Sequence, residues 1–99
     1  MLKIAMVVVA TLVASGALAA DAVSGRRIAQ DICAACHAIA PQARSEVADA
    51  PPFEAIGRKH GFAADTIAQV ISGPHPKMNF SPPPHEAADI AAYIVSLEK

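Results

Sequence analysis

The chain has 99 residues with a formal net charge of −1, and 17% of its residues are charged whereas 54% are hydrophobic. It has no run of Lys and Arg and no basic face with interleaved aromatic residues, which argues against a nucleic-acid-binding protein. The length suits one domain. Because 4% of the residues are aromatic and Trp is absent, a bulky cofactor would add much to so small a core.

The first twenty residues have the pattern of a secretory signal peptide. A single cation, Lys3, precedes a run of apolar and small residues that includes the small-x-small triplet 17–19. This pattern predicts export, with cleavage after Ala19 or Ala20. An uncleaved anchor is disfavoured because the strongly apolar part, 4–13, is shorter than the roughly 20 residues that span a bilayer. The expected mature domain, 21–99, is periplasmic and has no membrane segment.

The domain shows helical periodicity and no convincing strand, which predicts an all-α fold of about four short helices. The first helix is expected over 22–36, with Asp21 or Ser24 as its cap. Two shorter helices are expected over 53–61 and 63–73, each ending at a glycine. The apolar face of the third helix is predicted to hold Ile67, Val70 and Ile71.

A stiff loop precedes the last helix. Residues 73–84 hold five of the chain's eight prolines, so this segment is neither helix nor central strand. Pro84 suits the first position of a C-terminal helix. The apolar residues of that helix recur at helical spacing: they are Ile90, Tyr93, Ile94 and Leu97.

Both cysteines of the chain and one histidine lie within residues 33–37, as Cys33-Ala34-Ala35-Cys36-His37. This is the C-x-x-C-H pattern of covalent haem attachment. Two thiols one helical turn apart can each add to a vinyl group of one porphyrin, and the next residue then faces the iron. The motif predicts one haem c bound through Cys33 and Cys36, with His37 as an iron ligand.

Two other sites use closely spaced cysteines, and both fit less well. A thioredoxin-like dithiol requires a βαβ setting, and no strand precedes this motif. A structural zinc site requires four ligands, usually with a second ligand pair at short spacing. The other histidines of the domain, His60, His75 and His85, stand alone in the sequence.

The second axial ligand of such an iron is expected to be Met78. It is the only methionine after residue 20, and it lies in the proline-rich loop. A lone methionine is often core filler, but this loop has no helical face that would bury it. The flanking prolines would hold a thioether at a fixed position. His75 is the only close competitor.

With these residues, 21–99 resembles a small bacterial class I cytochrome c. In that family the haem motif ends an N-terminal helix, a methionine from a proline-containing loop completes the iron, and a C-terminal helix crosses the first. The resemblance matches Gly25 and Tyr93 to the crossing point. It also assigns the Pro51 carbonyl as acceptor of a hydrogen bond from the His37 imidazole, a bond that orients the ring and raises its basicity.

The sequence departs from the family at two points. Asn79 follows Met78, where many members have proline. The tryptophan that many members use to hold a haem propionate is missing, so this role passes to a basic residue, with three candidates: Arg44, Arg58 and Lys59.

The resemblance implies an electron carrier rather than an enzyme. Iron bound by both His37 and Met78 has no open position for substrate, and this ligand pair raises its potential. Such a protein exchanges one electron with transient redox partner proteins, as a monomer or as a subunit of a redox complex. Two alternatives stay open: the haem subunit of a periplasmic dehydrogenase, and a gas-reactive or peroxide-reactive haem domain in which Met78 is labile.

Overall fold

The computed structural model describes residues 3–10, 19–75 and 81–99. Within these ranges the regular structure is entirely helical, which agrees with the predicted all-α fold. Four α-helices are present among the described residues, and their bounds are α1 Ala22–Ile28, α2 Phe53–Lys59, α3 Ala64–Ser72 and α4 Pro84–Ser96.

Helix α1 begins at the cap that Asp21 provides. The carboxylate of Asp21 accepts hydrogen bonds from the Val23 backbone N–H at 2.9 Å and from the Ser24 hydroxyl at 2.8 Å. Of the two predicted caps, Asp21 is therefore the cap, and Ser24 supports it. The cap satisfies a backbone N–H that otherwise has no partner at a helix start.

The α-helical part of the first helix ends at Ile28, earlier than predicted. The chain continues as a π-helical turn, Ala29–Cys33, in which the Ala34 N–H donates to the Ala29 carbonyl at 2.9 Å. A repeat of 3.6 residues does not reveal one wider turn in the sequence. Such π turns are frequent at functional sites, and this one ends at Cys33.

Helices α1 and α4 touch at Gly25. A Cβ placed on this buried glycine would lie 1.8 Å from the Asp89 carbonyl oxygen, so only glycine permits the contact. The carboxylate of Asp89 also accepts a hydrogen bond from the Asp21 N–H at 2.8 Å. Gly25 is nearest to the backbone of Asp89 and Ile90, and Tyr93, which the resemblance placed at the crossing, follows one turn later.

The chain reverses after α2 at Gly61 and Phe62, where φ is 59° and 51°. This left-handed pair lets the Phe62 ring fold back onto Gly57, where an added Cβ would lie 2.3 Å from a ring carbon. A left-handed conformation is rare for an aromatic residue. The predicted glycine stop of the second helix is therefore correct, whereas the left-handed conformation of Phe62 was not predicted.

The core lies where α4 meets the other helices. On α4, Ile90, Tyr93 and Ile94 are buried as predicted, and Leu97 is half-buried. On α3, Ile67 is completely buried, whereas Val70 is 50% exposed. The apolar face predicted for α3 thus divides between the core, which holds Ile67, and a cavity, which Val70 and Ile71 line.

Residues 3–10 of the expected signal segment have no regular structure and are exposed. Ala19 and Ala20, the expected cleavage positions, are exposed as well. Among the described residues, no helix has the length and apolar character needed to cross a bilayer.

Candidate functional site

A cavity of about 410 Å³ is lined by residues from the cysteine motif, the following loop and helices α2, α3 and α4. We call its lining residues within 32–51 the motif wall, and those within 70–75 together with Pro82 the loop wall. Apolar side chains from both walls, among them Ile32, Val47 and Ile71, face this space. The volume falls in the range of small-molecule and cofactor sites, about 300–1,000 Å³.

Both cysteines of the chain lie in the motif wall. They sit on a tight turn in which the N–H groups of Cys36 and His37 donate to the Cys33 carbonyl at 3.1 and 2.9 Å. Both side chains are half-buried, and neither forms a disulfide. Burial raises the pKa of the Cys33 thiol. The sequence spacing thus becomes a spatial arrangement in which both sulfurs border one cavity.

The His37 ring is held by the residue that the resemblance assigned to it. Its Nδ1 lies 2.6 Å from the carbonyl oxygen of Pro51. Because a carbonyl only accepts hydrogen bonds, Nδ1 carries the proton, and Nε2 is the nitrogen that can bind a metal. The ring also lies 5.8 Å from the Phe53 ring, centre to centre. Two contacts therefore orient the imidazole.

The segment that follows the motif is held by one hydrogen bond within itself and by two that reach α2 and α4. The Ala38 N–H donates to Ser45 Oγ at 3.0 Å, and the Ala38 carbonyl accepts from the Phe53 N–H at 2.9 Å. The buried Tyr93 hydroxyl donates to the Ile39 carbonyl at 2.7 Å. These bonds were not predicted from the sequence. The signal for one was available, since a buried tyrosine hydroxyl usually finds a partner.

A second histidine borders the same cavity. The rings of His75 and His37 are 5.9 Å apart, centre to centre, and perpendicular. His60 also lines the cavity. The predicted ligand Met78 and the adjacent Asn79 lie outside the described residues.

The three basic residues proposed for a propionate occupy different places. Lys59, at the end of α2, lines the cavity. Arg58 is largely exposed, and its Nη1 lies 3.7 Å from Glu54 Oε2. Arg44 is exposed on the loop after the motif. The structure therefore distinguishes three candidates that the sequence left equal.

The donor set and the shape of the site fit a haem better than the alternatives. Two thiols, an oriented imidazole and largely apolar walls surround one space, and Val70 exposes its apolar side chain there. Among the described residues, no group of three or more His, Cys, Asp and Glu side chains is arranged to hold a metal ion. The zinc interpretation therefore has no support there, and the helical setting of the motif does not suit a thioredoxin-like dithiol.

Comparison with known proteins finds a relative that matches most of the chain. The chain is 44% identical to cytochrome c-552 of Bradyrhizobium diazoefficiens over 84 residues. The aligned region covers 84% of this chain and 81% of the relative. No family model matches the sequence, and no solved structure matches it. At this identity and coverage, with the C-x-x-C-H motif bordering the cavity, the chain belongs to the small c-type cytochromes.

Proposed function

We propose that the protein is a periplasmic electron carrier with one haem c, which Cys33 and Cys36 bind covalently and His37 ligates. The observation that carries the proposal is that both thiols and the oriented His37 ring border one cavity of about 410 Å³. The relative at 44% identity is named a cytochrome c-552, which supports the same chemistry. Residues 1–20 would direct the chain out of the cytoplasm and be removed.

The residues of the motif wall have separate tasks in this proposal. When bound, haem supplies an iron that changes between the ferrous and ferric states. Cys33 and Cys36 fix the position of the ring, and His37 ligates the iron through Nε2. The Pro51 carbonyl holds the proton on Nδ1 of His37 and increases the electron donation of the imidazole. Apolar lining residues exclude water, which disfavours the extra positive charge of the ferric form.

Met78 is the proposed second axial ligand. Its support comes from the sequence: it is the only methionine of the mature domain, and it lies in a proline-rich loop. If both residues bound the iron, a thioether together with an imidazole would leave it no open position and would raise its potential. The protein would then exchange single electrons with donor and acceptor proteins through transient contacts, alone or as a subunit of a redox complex.

Lys59 is the proposed partner of a haem propionate. It is the one of the three candidate cations that lines the cavity. A cation beside a carboxylate favours the ionised form and lowers its pKa. Lys59 would therefore keep a propionate charged and compensate for the missing tryptophan donor.

The test of the proposed function is covalent haem attachment. Haem of the purified mature protein should survive acid-acetone extraction and denaturing electrophoresis, with an absorption spectrum that is unchanged by carbon monoxide in the ferrous state. Cys33→Ala and Cys36→Ala should each leave a single thioether bond, and the double variant should lose all its haem on extraction.

Loss of haem from the wild-type protein under these conditions would contradict the proposal. It would favour the interpretation of Cys33 and Cys36 as a redox dithiol. Retention of haem together with rapid carbon monoxide binding would keep the cofactor. It would favour the alternative of a gas-reactive domain with a labile methionine.

A further inference from the structure

We infer that a stack of three rings, those of His37, Phe53 and Tyr93, sets the plane of the iron-ligating imidazole, and that Phe53 is its positioning residue. The inference rests on the proposed function, because the plane of the His37 ring matters only where that ring ligates a haem iron. It deepens that function by naming the residue that fixes how the ligand is turned, which the hydrogen bond to Pro51 does not fix alone.

The hydrogen bond at Nδ1 leaves the imidazole one freedom. The Pro51 carbonyl oxygen lies 2.6 Å from Nδ1 of His37, which fixes the position of that atom. Because a hydrogen bond keeps most of its strength at N–H···O angles down to about 150°, this bond alone lets the ring rock by about 30°. A second contact is therefore needed to fix the plane of the ring.

Phe53 supplies this second contact from the protein core. Its ring centre lies 5.8 Å from that of His37, and the two ring planes are inclined by 50°. Aromatic rings attract one another at centre-to-centre distances of roughly 4.5–7 Å. Phe53 is 3% exposed and belongs to the core cluster, whereas the other ring near the imidazole, that of His75 at 5.9 Å, comes from an exposed residue of the loop wall. The buried ring is therefore the contact that the packing of the core dictates.

Tyr93 in turn packs against Phe53, with the ring centres 6.3 Å apart and the planes inclined by 58°. The Phe53 N–H donates to the Ala38 carbonyl at 2.9 Å. The Tyr93 hydroxyl donates to the Ile39 carbonyl at 2.7 Å. Because Ala38 and Ile39 directly follow His37, the stack is anchored to the same stretch of backbone that carries the ligand. The rings and this stretch are therefore expected to keep one arrangement.

A fixed imidazole plane has two consequences for an electron carrier. The unpaired electron of low-spin ferric iron spreads over the haem in a pattern that follows the direction of the imidazole plane, so the stack decides which part of the ring carries most spin density. A ligand that keeps its plane in both oxidation states also adds little reorganisation to each electron transfer. Phe53 thus acts on the iron through His37 and does not itself exchange electrons or protons.

The experiment compares ferric holoproteins: the wild type, Phe53→Leu, Phe53→Tyr and, as matched control, Phe62→Leu. Phe62 packs on Gly57 of the same helix and is not among the described residues that line the cavity. Cyanide is added to each protein, because this linear ligand has no plane of its own and leaves His37 as the iron ligand that has one. The readout is the proton NMR shifts of the haem methyl groups, which report the direction of the imidazole plane.

We expect Phe53→Leu to move the haem methyl signals by several parts per million, and Phe53→Tyr, which keeps the ring, to stay close to the wild type. Phe62→Leu should lose stability through its contact with Gly57 but keep the wild-type shifts, which separates positioning of the ligand from a general loss of packing. Should Phe53→Leu fail to fold around haem, the wild-type ferrous protein supplies a second measurement. Nuclear Overhauser effects should connect the ring protons of Phe53 with those of His37 and with those of Tyr93.

Wild-type methyl shifts in Phe53→Leu, or no Overhauser effect between the Phe53 and His37 rings, would overturn the inference. The hydrogen bond to Pro51 would then fix the imidazole plane alone. Equal displacements in Phe53→Leu and Phe62→Leu would also overturn it, since any loss of packing near α2 would then turn the ring. Failure of the proposed function is distinguishable, because the wild-type protein would then hold no covalent haem and show no haem methyl signals.

Discussion

The two walls of the cavity differ in how their backbones are held. On the motif wall, the bonds around His37 include 2.6 Å to Pro51, 2.7 Å between Tyr93 and Ile39, and 2.9 Å between Phe53 and Ala38. On the loop wall, the exposed Ser81 hydroxyl donates to the Gly73 carbonyl at 3.3 Å. The prolines that line this wall have no N–H and cannot donate a backbone hydrogen bond.

The two walls therefore hold their side chains in place in different ways. The segment after His37 is tied to α2 by the Phe53–Ala38 bond and to α4 by the buried Tyr93–Ile39 bond, and an exposed bond to Pro51 orients the His37 ring. The loop wall is stiffened locally by proline rings, which restrict the backbone without choosing one side chain. The described part of the loop wall is therefore held more locally than the motif wall.

The largest effect is expected at the close contact between α1 and α4. Gly25→Ala would place a Cβ 1.8 Å from the Asp89 carbonyl oxygen, which belongs to the backbone and cannot turn away. We expect the free energy of unfolding to fall by at least about 3 kcal/mol, the upper end of the usual cost of overpacking. The gain of roughly 1 kcal/mol that alanine has over glycine in a helix does not offset this.

The matched control is Gly73→Ala, measured with it by guanidinium denaturation of the holoprotein. A Cβ there would lie 3.4 Å from the nearest atom, and φ is −75°. This variant should therefore unfold within about 0.5 kcal/mol of the wild type. Equal stability of the two alanine variants would show that α1 and α4 do not cross at Gly25.

A smaller effect is expected from loosening the motif wall alone. Tyr93→Phe removes the buried hydroxyl that donates to the Ile39 carbonyl at 2.7 Å. A buried carbonyl left without a partner costs about 1–3 kcal/mol, and the guanidinium midpoint should fall accordingly. The loss should also loosen the segment next to His37 and speed hydrogen exchange of the backbone amides that follow the motif.

Ser81→Ala removes the hydroxyl that donates to the Gly73 carbonyl beside the loop wall. Because this bond is exposed and 3.3 Å long, its loss should change the free energy of unfolding by less than about 0.5 kcal/mol. If Ser81→Ala were as damaging as Tyr93→Phe, the two walls would be held equally. The difference in how the two walls are held would then disappear.

Much of the fold and of the candidate site could be predicted from the sequence, because the features concerned depend on neighbouring residues. The C-x-x-C-H motif is local, so the placement of Cys33, Cys36 and His37 on one turn follows from spacing. The helices follow from apolar periodicity, and Asp21 acts as a cap because its side chain reaches an N–H two residues ahead. These features depend on neighbours within one or two turns.

Other features are not contained in apolar periodicity, and some of them depend on residues that are far apart in the chain. The π turn at Ala29–Cys33 needs only one wider hydrogen bond, and the left-handed φ of Phe62 is set by packing against Gly57. Val70 matches a core pattern and yet lines the cavity, because a helical wheel does not distinguish a face against protein from a face against a cofactor. The approach of His75 to His37 spans nearly forty residues, and the sequence indicated it only in so far as His75 was the competitor of Met78 as an iron ligand.

The smallest effect is expected far from both walls, at the cap of α1. Hydrogen bonds from the Ser24 hydroxyl, the largest cause, and from the Val23 N–H hold the pKa of Asp21 below its ordinary value of 3.8, and the charge of Arg27 acts in the same direction. A carboxyl whose pKa is lowered by folding stabilises the folded state fully above 3.8. This contribution is lost as the pH falls through the lowered value.

Asp21→Asn keeps a side chain that caps helices well but removes the titration. The small difference in stability between variant and wild type at neutral pH should therefore shrink below pH 3.8 and not above it. Guanidinium midpoints of the holoprotein between pH 6 and pH 2 measure this change, and Ser24→Ala, which removes the largest cause, should lie between the two. Curves that run parallel over the whole range would show that the Asp21 carboxylate titrates alike in the folded and unfolded chain. The contact between α1 and α4 would then be stabilised by the close packing at Gly25 and not by the charge of Asp21.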